Sequence, residues 1–337
     1  MLPGVFKSVS FIGESIMAEA NFYQDGCALD YTPDAAVSGG EVRQMSDGRA
    51  GVCVVDIASG IQDAIHTRGV YTIAKTSGIV ILDGGRVFWD HSANAAHYKK
   101  VNDRDFYVGV AVGDAASAAT TMKVNFNVHQ FNDIDINRDA FLSVPTGTQA
   151  IGAFGHLKPF GGARSFHLTA TSELQCIDAL SVDKFDKNAN AIVEIIFRLG
   201  TNGSTPDVDL NFGIANGTST SDADAVAEHV YFHIDGGSLT INAQSKDGTT
   251  TVAATTTSVS ATAGSAVADR VECWIDTRDT DNVKLYVNGA RVASGSTFKI
   301  SGATGPFGLL AHLEKVTGTA TAGPTYIDRL VARFMQQ

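Results

Sequence analysis

Apolar residues along this chain recur at every second position rather than at helical spacing. Val52-Cys53-Val54-Val55-Asp56-Ile57 reads as a strand running into a turn at Ser59-Gly60. Gly69-Val70-Tyr71-Thr72-Ile73-Ala74 predicts another strand. Ile79-Val80-Ile81-Leu82 is a third, ended by the turn Asp83-Gly84-Gly85, and Arg86-Val87-Phe88-Trp89 follows it. Residues 107–112 and 121–126 complete a first series. Short strands with turn signals at intervals of about 8–12 residues predict a barrel or a sandwich.

The pattern changes after residue 130. Asn132, Asp133, Asp135, Asn137 and Asp139 form a polar stretch, and Pro145, Pro159 and Gly161-Gly162 follow. This is the expected boundary, with the first region ending near Asn127–Phe131 and residues 131–161 acting as a linker or as the first strands of the next domain. From Arg164 the predicted strands lengthen. Residues 191–199 are the strongest, and residues 208–214 and 270–276 alternate with period two. Val283-Lys284-Leu285-Tyr286-Val287 leads into Asn288-Gly289, and Ala290-Arg291-Val292-Ala293 returns. Asn-Gly accepts the positive φ angles of a type I′ turn, so this is the clearest hairpin signal in the chain. Residues 249–268, rich in Thr, Ala and Ser, read as exposed strands and turns.

Length and composition narrow the functional classes. A chain of 337 residues is long enough for two domains, each with its own core. The net charge is −11, and no cluster of Lys and Arg stands free of acidic neighbours, which argues against nucleic acid and against an anionic membrane surface. No apolar run reaches the roughly 20 residues of a membrane span. Lys7 and Glu14 interrupt the mildly hydrophobic start, so it is read as retained rather than as a signal peptide. The 4 cysteines, Cys27, Cys53, Cys176 and Cys273, lack CxxC spacing, which argues against a zinc site and for buried free thiols.

The chain lacks the chemistry of the common catalytic motifs. No Gly-Lys dipeptide exists to build a P-loop, and no G-x-S-x-G to build a nucleophile elbow. His229 and His233 have HxxxH spacing, but Glu228 precedes the first and the segment between them is strand-like, whereas a zinc protease needs HExxH on a helix. Asp222 and Asp224 are candidate calcium ligands, set against the commoner reading of a solvated acidic loop. Asp276, Asp279 and Asp281 around Arg278 form a second acidic group, read as a polar turn.

Two stretches carry resemblances. Tyr23-Gln24-Asp25-Gly26 with Leu29-Asp30-Tyr31-Thr32 opens the first, and residues 51–60, Gly69-Val70-Tyr71, Gly85-Arg86-Val87-Phe88-Trp89-Asp90 and Gly109-Val110-Ala111-Val112 continue it. This order resembles the phage capsid decoration (cement) proteins. The resemblance implies a small β-barrel over residues 21–130 that assembles as homotrimers on the outer capsid surface, with the major capsid protein as partner. The second lies between about Gly162 and Phe334. Asp209-Leu210-Asn211-Phe212-Gly213-Ile214, Phe232-His233-Ile234-Asp235-Gly236-Gly237 and Leu285-Tyr286-Val287-Asn288-Gly289 resemble lectin-like domains of phage structural proteins. That implies a concanavalin A-like jelly roll over residues 162–337, in which two sheets pack face to face.

The expectation is therefore an all-β virion protein that stabilises a capsid and displays a lectin-like domain outward, with no enzymatic activity and no cofactor. The competing reading is a lectin or carbohydrate-active enzyme acting on host-surface glycans. Glucanases of the fold carry E-x-D-x-E on one strand, and the nearest match here, Glu272-Cys273-Trp274-Ile275-Asp276, lacks the second glutamate. Phe160, Tyr231, Trp274 and Tyr326 are the aromatics available to a sugar, with core packing the commoner role. Residues 1–20 form an apolar arm. Phe6, Phe11 and Ile12 in the arm, with Phe22 and Tyr23 just after it, are the interface candidates, and the arm either adds a strand to the sheet of a neighbouring subunit or coat subunit or folds back on the chain's own barrel.

Overall fold

The computed structural model describes residues 26–136, 140–146, 164–168, 173–200, 208–264, 266–315, 317 and 322–335. Phe6, Phe11, Ile12, Phe22, Tyr23 and Phe160 lie outside these residues. The chain divides into two compact units, Met1–Val70 and Tyr71–Gln337, so the stretch at Asn127–Phe131 falls inside the second. The fold is all β, and the described residues contain only short 3-10 turns as helix.

In the first unit, β1 (Ala28–Tyr31), β2 (Val42–Gln44), β3 (Ala50–Cys53) and β4 (Asp63–His66) form an antiparallel sheet ordered β1-β4-β3-β2. Its core is small: Val37, Cys53, Ile57 and Ile65, flanked by Leu29, Tyr31 and Met45. The strand expected at 52–57 ends at Cys53, and Val54 and Val55 turn outward to about half exposure.

In the second unit, β5 (Val70–Ala74), β6 (Arg86–Asp90), β7 (Ala95–His97), β8 (Phe106–Ala111) and β9 (Thr121–Phe126) form a sheet ordered β5-β9-β8-β6-β7. The expected strand at 79–82 is an irregular segment with one bridge, Ile81 to Ala115. The barrel expected over residues 21–130 is not closed. Closure requires a hydrogen-bonded ladder that returns to its first strand. Here strands of three to six residues make two sheets of four and five strands, and an isolated bridge, Lys75 to Ala96, joins the end of β5 to β7 in the second.

The rest of the second unit is a sandwich. Its strands are β10 (Ile134–Asp135), β11 (Ala140–Thr146), β12 (Arg164–Leu168), β13 (Gln175–Ser181), β14 (Ala191–Leu199), β15 (Val208–Ala215), β16 (Glu228–Asp235) and β17 (Thr240–Asp247). They continue with β18 (Thr251–Ser260), β19 (Val271–Asp276), β20 (Lys284–Val287), β21 (Ala290–Val292), β22 (Gly308–Lys315) and β23 (Ala322–Phe334). One sheet runs β10-β23-β14-β19-β20-β21, with β12 also on β23, and the other runs β11-β13-β22-β15-β16-β17-β18. Alternate residues fill the space between them: Val193, Ile195 and Phe197 from one sheet meet Leu210, Phe212, Phe232 and Leu313 from the other. Asn288 and Gly289 both have positive φ (49° and 76°), the type I′ geometry that turns β20 into β21.

Candidate functional site

Side chains that point away from the core set the chemistry of each sheet's outer face. On the second sheet, β13 and β22 are paired so that Cys176 faces Glu314 and Asp178 faces His312. Each pair of polar residues is two apart on its strand, so all four project from one face as a two-by-two patch. The next strands extend the rows: Asp209 and Asp235 continue from Glu314, and Asn211 and His233 continue from His312.

This patch is buried. His312 and Asp178 side chains are both 0% exposed and Glu314 is 3% exposed. His312 Nδ1 lies 2.6 Å from Asp178 Oδ1, Nε2 lies 3.0 Å from Glu314 Oε2, and Cys176 Sγ sits 3.6 and 3.7 Å from the two ring nitrogens. Burial opposes a charge on His312, but hydrogen bonds to Asp178, Cys176 and Glu314 outweigh it and hold the imidazole pKa well above its ordinary value. Burial pushes the Glu314 carboxyl up, and it pushes Asp209 up to about 6. Three buried polar atoms on this face, Asp178 Oδ2, Asn211 Nδ2 and the Tyr231 hydroxyl, have no hydrogen-bond partner.

The candidate calcium ligands sit in the loop beside this patch. Asp222 caps a 3-10 turn by accepting from the Asp224 backbone N–H at 2.7 Å, and Asp224 accepts from the Gln244 side chain. Both carboxylates thus serve protein donors. His229 and His233 project from one face of β16. His229 stacks on Tyr231 with centroids 4.3 Å apart, and His233 Nδ1 lies 2.9 Å from Asn211 Oδ1, so the structure does not bring them together as a ligand pair.

The outer face of the first sheet is occupied by the segment carrying β5–β9. Glu194, 3% exposed, accepts two hydrogen bonds from Arg86, at 2.5 and 2.9 Å, and lies 3.1 Å from Arg329 and 3.7 Å from Arg333. Arg329 also donates to Asn132 at 2.9 Å. Tyr98 meets Trp274 edge to face at 5.5 Å, and the Val80 N–H donates to the Gly289 carbonyl at 2.7 Å. Arg278 binds both Asp276 and Asp114, so this second acidic group tethers the same segment. Asp279 accepts from the Asp281 N–H within its turn.

Glu272 and Asp276, the partial glucanase match, are consumed here. Glu272 accepts from Trp274 Nε1 at 3.0 Å beneath Arg86, and both carboxylates are buried. Burial raises Glu272 from 4.5 toward about 7, with Glu194 adding repulsion, whereas burial of Glu194 is overcome by Arg329, Arg86 and Arg333, which lower it toward about 2. The signs oppose. The Glu194 contribution is complete above about pH 4.5 and is lost as pH falls toward 2. The Glu272 contribution is complete below about 4.5 and is lost as pH rises through about 7. Glu272→Gln keeps the Trp274 acceptor and removes the charge. Urea midpoints measured across pH 4.5–7 should then decline less steeply with pH, the remainder coming from the raised carboxyls of Asp209 and Glu314, and an unchanged slope would assign the decline to other groups.

Residues 23–126 match the phage cement protein family. No curated relative matches the chain. Among solved structures, the Emp47p carbohydrate recognition domain is similar with 13% identity and a TM-score of 0.39, covering 58% of this chain and 88% of that one. A carbohydrate esterase of the Shiga toxin-encoding bacteriophage phi24B has 12% identity and a TM-score of 0.35, with coverages of 58% and 90%. An endo-1,3-beta-glucanase from Streptomyces sioyaensis has 11% identity and a TM-score of 0.35, with coverages of 57% and 88%. The matched cement region crosses the division at Val70, contributing to both compact units.

Sequence reading singled out neither the β13–β22 patch nor the Glu194 cluster. The available signal was a polar residue at every second position within otherwise apolar runs: Cys176 and Asp178 in QCIDALS, and His312 and Glu314 in GLLAHLEK. Only the strand register shows that these four meet.

Proposed function

We propose that this protein is a virion structural component that decorates and stabilises the outer surface of a phage capsid and carries its sandwich as an outward lectin-like domain. The observation that supports this reading is the cement-family match over residues 23–126. The major capsid protein is the partner, and self-association as a homotrimer lets several modest contacts act together across the lattice.

The first unit offers a contact surface suited to that role. Val54, Val55 and Ile61 are 49%, 48% and 58% exposed, in turns that flank β3 and β4. Apolar side chains held out by turns lose water-exposed area on docking. Capsids of the phage that encodes the chain, prepared with and without it, are the test. Decorated capsids should resist heat to a higher temperature, and Val55→Asp with Ile61→Asp should weaken binding by about tenfold, equal to about 1.4 kcal/mol. Absence of binding and of stabilisation would remove the proposal.

A lectin role for the sandwich is the second reading. It is favoured by the half-buried polar residues Asp209, His233 and Asn242 on the outer face, which lie in adjoining registers. A glycan array probed with the full chain tests it. Binding that survives in Val55→Asp with Ile61→Asp would belong to this face rather than to capsid docking. Reducing-sugar release from glycans would instead support an enzyme.

A further inference from the structure

We propose that Cys176, His312 and Glu314 bind one divalent transition metal of the zinc class, with Asp178 as the group that holds the second ring nitrogen. The proposal is independent of the capsid reading. It rests on four side chains that strand pairing brings into one patch, Cys176 opposite Glu314 and Asp178 opposite His312.

The donor set fits such an ion. A thiolate, an imidazole nitrogen and a carboxylate oxygen are the three ligand types of zinc sites, and the donor atoms of Cys176, His312 and Glu314 all lie within 4.8 Å of one another. The separation is 3.7 Å between Sγ and Nε2 and 3.0 Å between Nε2 and Glu314 Oε2. A tetrahedral site built on ordinary zinc bond lengths has edges of roughly 3.6 and 3.3 Å for those pairs. The sulfur is nearly equidistant from the two ring nitrogens, so the site needs a change of rotamer at Cys176 that brings Sγ to the Nε2 side while His312 stays on Asp178. Asp178 Oδ1, 2.6 Å from Nδ1, stands where a carboxylate accepts the second ring N–H of a metal-bound histidine and fixes its tautomer.

Two further observations point to a ligand. Asp178 Oδ2, Asn211 Nδ2 and the Tyr231 hydroxyl are buried on this face with no partner. Buried polar atoms left without a partner are costly, and a ligand that brings a coordinated water to this face would supply one. The charges also fit: Asp178, Glu314 and a Cys176 thiolate share a buried face on which a dication beside a neutral His312 would take the place of the imidazolium charge. Binding replaces protons by metal. The ion forms bonds to sulfur, nitrogen and oxygen, while the thiol proton and the Nε2 proton leave to solvent, with no change of oxidation state.

The test uses the purified full chain. After dialysis against zinc and then buffer, elemental analysis should find one equivalent bound. Cobalt(II) titration should give a thiolate-to-cobalt charge-transfer band. Cys176→Ser should abolish that band, and Asp178→Asn should keep it while weakening affinity about 10–100-fold, the mark of a positioning residue. Should Cys176→Ser fail to fold, X-ray absorption on the zinc-loaded wild-type protein should show one sulfur at about 2.3 Å with nitrogen and oxygen at about 2.0 Å. No bound metal, a charge-transfer band unchanged in Cys176→Ser, or a shell without sulfur overturns the proposal.

Discussion

Glu194→Ala should destabilise the unit Tyr71–Gln337 by about 3–5 kcal/mol, the range seen when one partner of a buried ion pair is removed. Glu194 sits on the outer face of β14 and faces Arg86 from β6 and Arg329 and Arg333 from β23. Removing the carboxylate leaves guanidinium groups under cover without their anion. At about 2–4 °C per kcal/mol, the midpoint should fall by on the order of 10 °C. The loss should also be local. Arg86 belongs to the segment carrying β5–β9, so limited proteolysis should nick residues 71–127 in the variant before the sandwich itself melts. A midpoint within about 1 °C of wild type, with unchanged proteolysis, would show that this cluster does not hold the segment in place.

Phe212→Ala should cost about 3–5 kcal/mol through a different mechanism, the cavity left in a close-packed core. Phe212 is 1% exposed on β15 and packs on Phe197 of β14, with ring centroids 4.9 Å apart at 28°. The two rings come from opposite sheets, so the contact spans the sandwich, and relaxation of either sheet fills the gap only in part. Phe131, at 77% exposure, supplies the control, since Phe131→Ala should stay within about 0.5 kcal/mol of wild type. Denaturant midpoints for the two variants measure the contrast. Equal effects would mean that the inter-sheet stack contributes no more than a surface ring.

Some elements were legible because their cause is local. Strand β9, residues 121–126, lies where alternation put it, and the Asn288-Gly289 turn follows from the φ angles those residues accept. Strands also emerged at 191–199 and 271–276 from uninterrupted apolar or alternating runs. Where local pattern met a competing demand, it lost. Val54 and Val55 have strand propensity, but β3 ends at Cys53, whose carbonyl accepts from the Gly40 N–H. Residues 79–82 are apolar enough for a strand, yet Val80 gives its N–H to the sandwich at Gly289 rather than to a neighbouring strand. The small barrel implied by the family resemblance is not closed for the same reason: closure depends on which distant edges pair, and alternation is silent about that.

By itself the sequence determined the β class, the two-faced strands, the type I′ hairpin and the scarcity of basic surface, since these depend on side-chain period, on backbone preference and on charge. The tertiary structure decided the rest. It placed Arg86 against Glu194 across 108 positions of chain, and His312 against Asp178 across 134. Neither pair carries a spacing signal, because a strand exposes its outward residues to whatever the register and the packing of other segments bring. Only the packed chain removes water from both clusters, and that exclusion strengthens the pairing of their charges and makes them chemically distinctive.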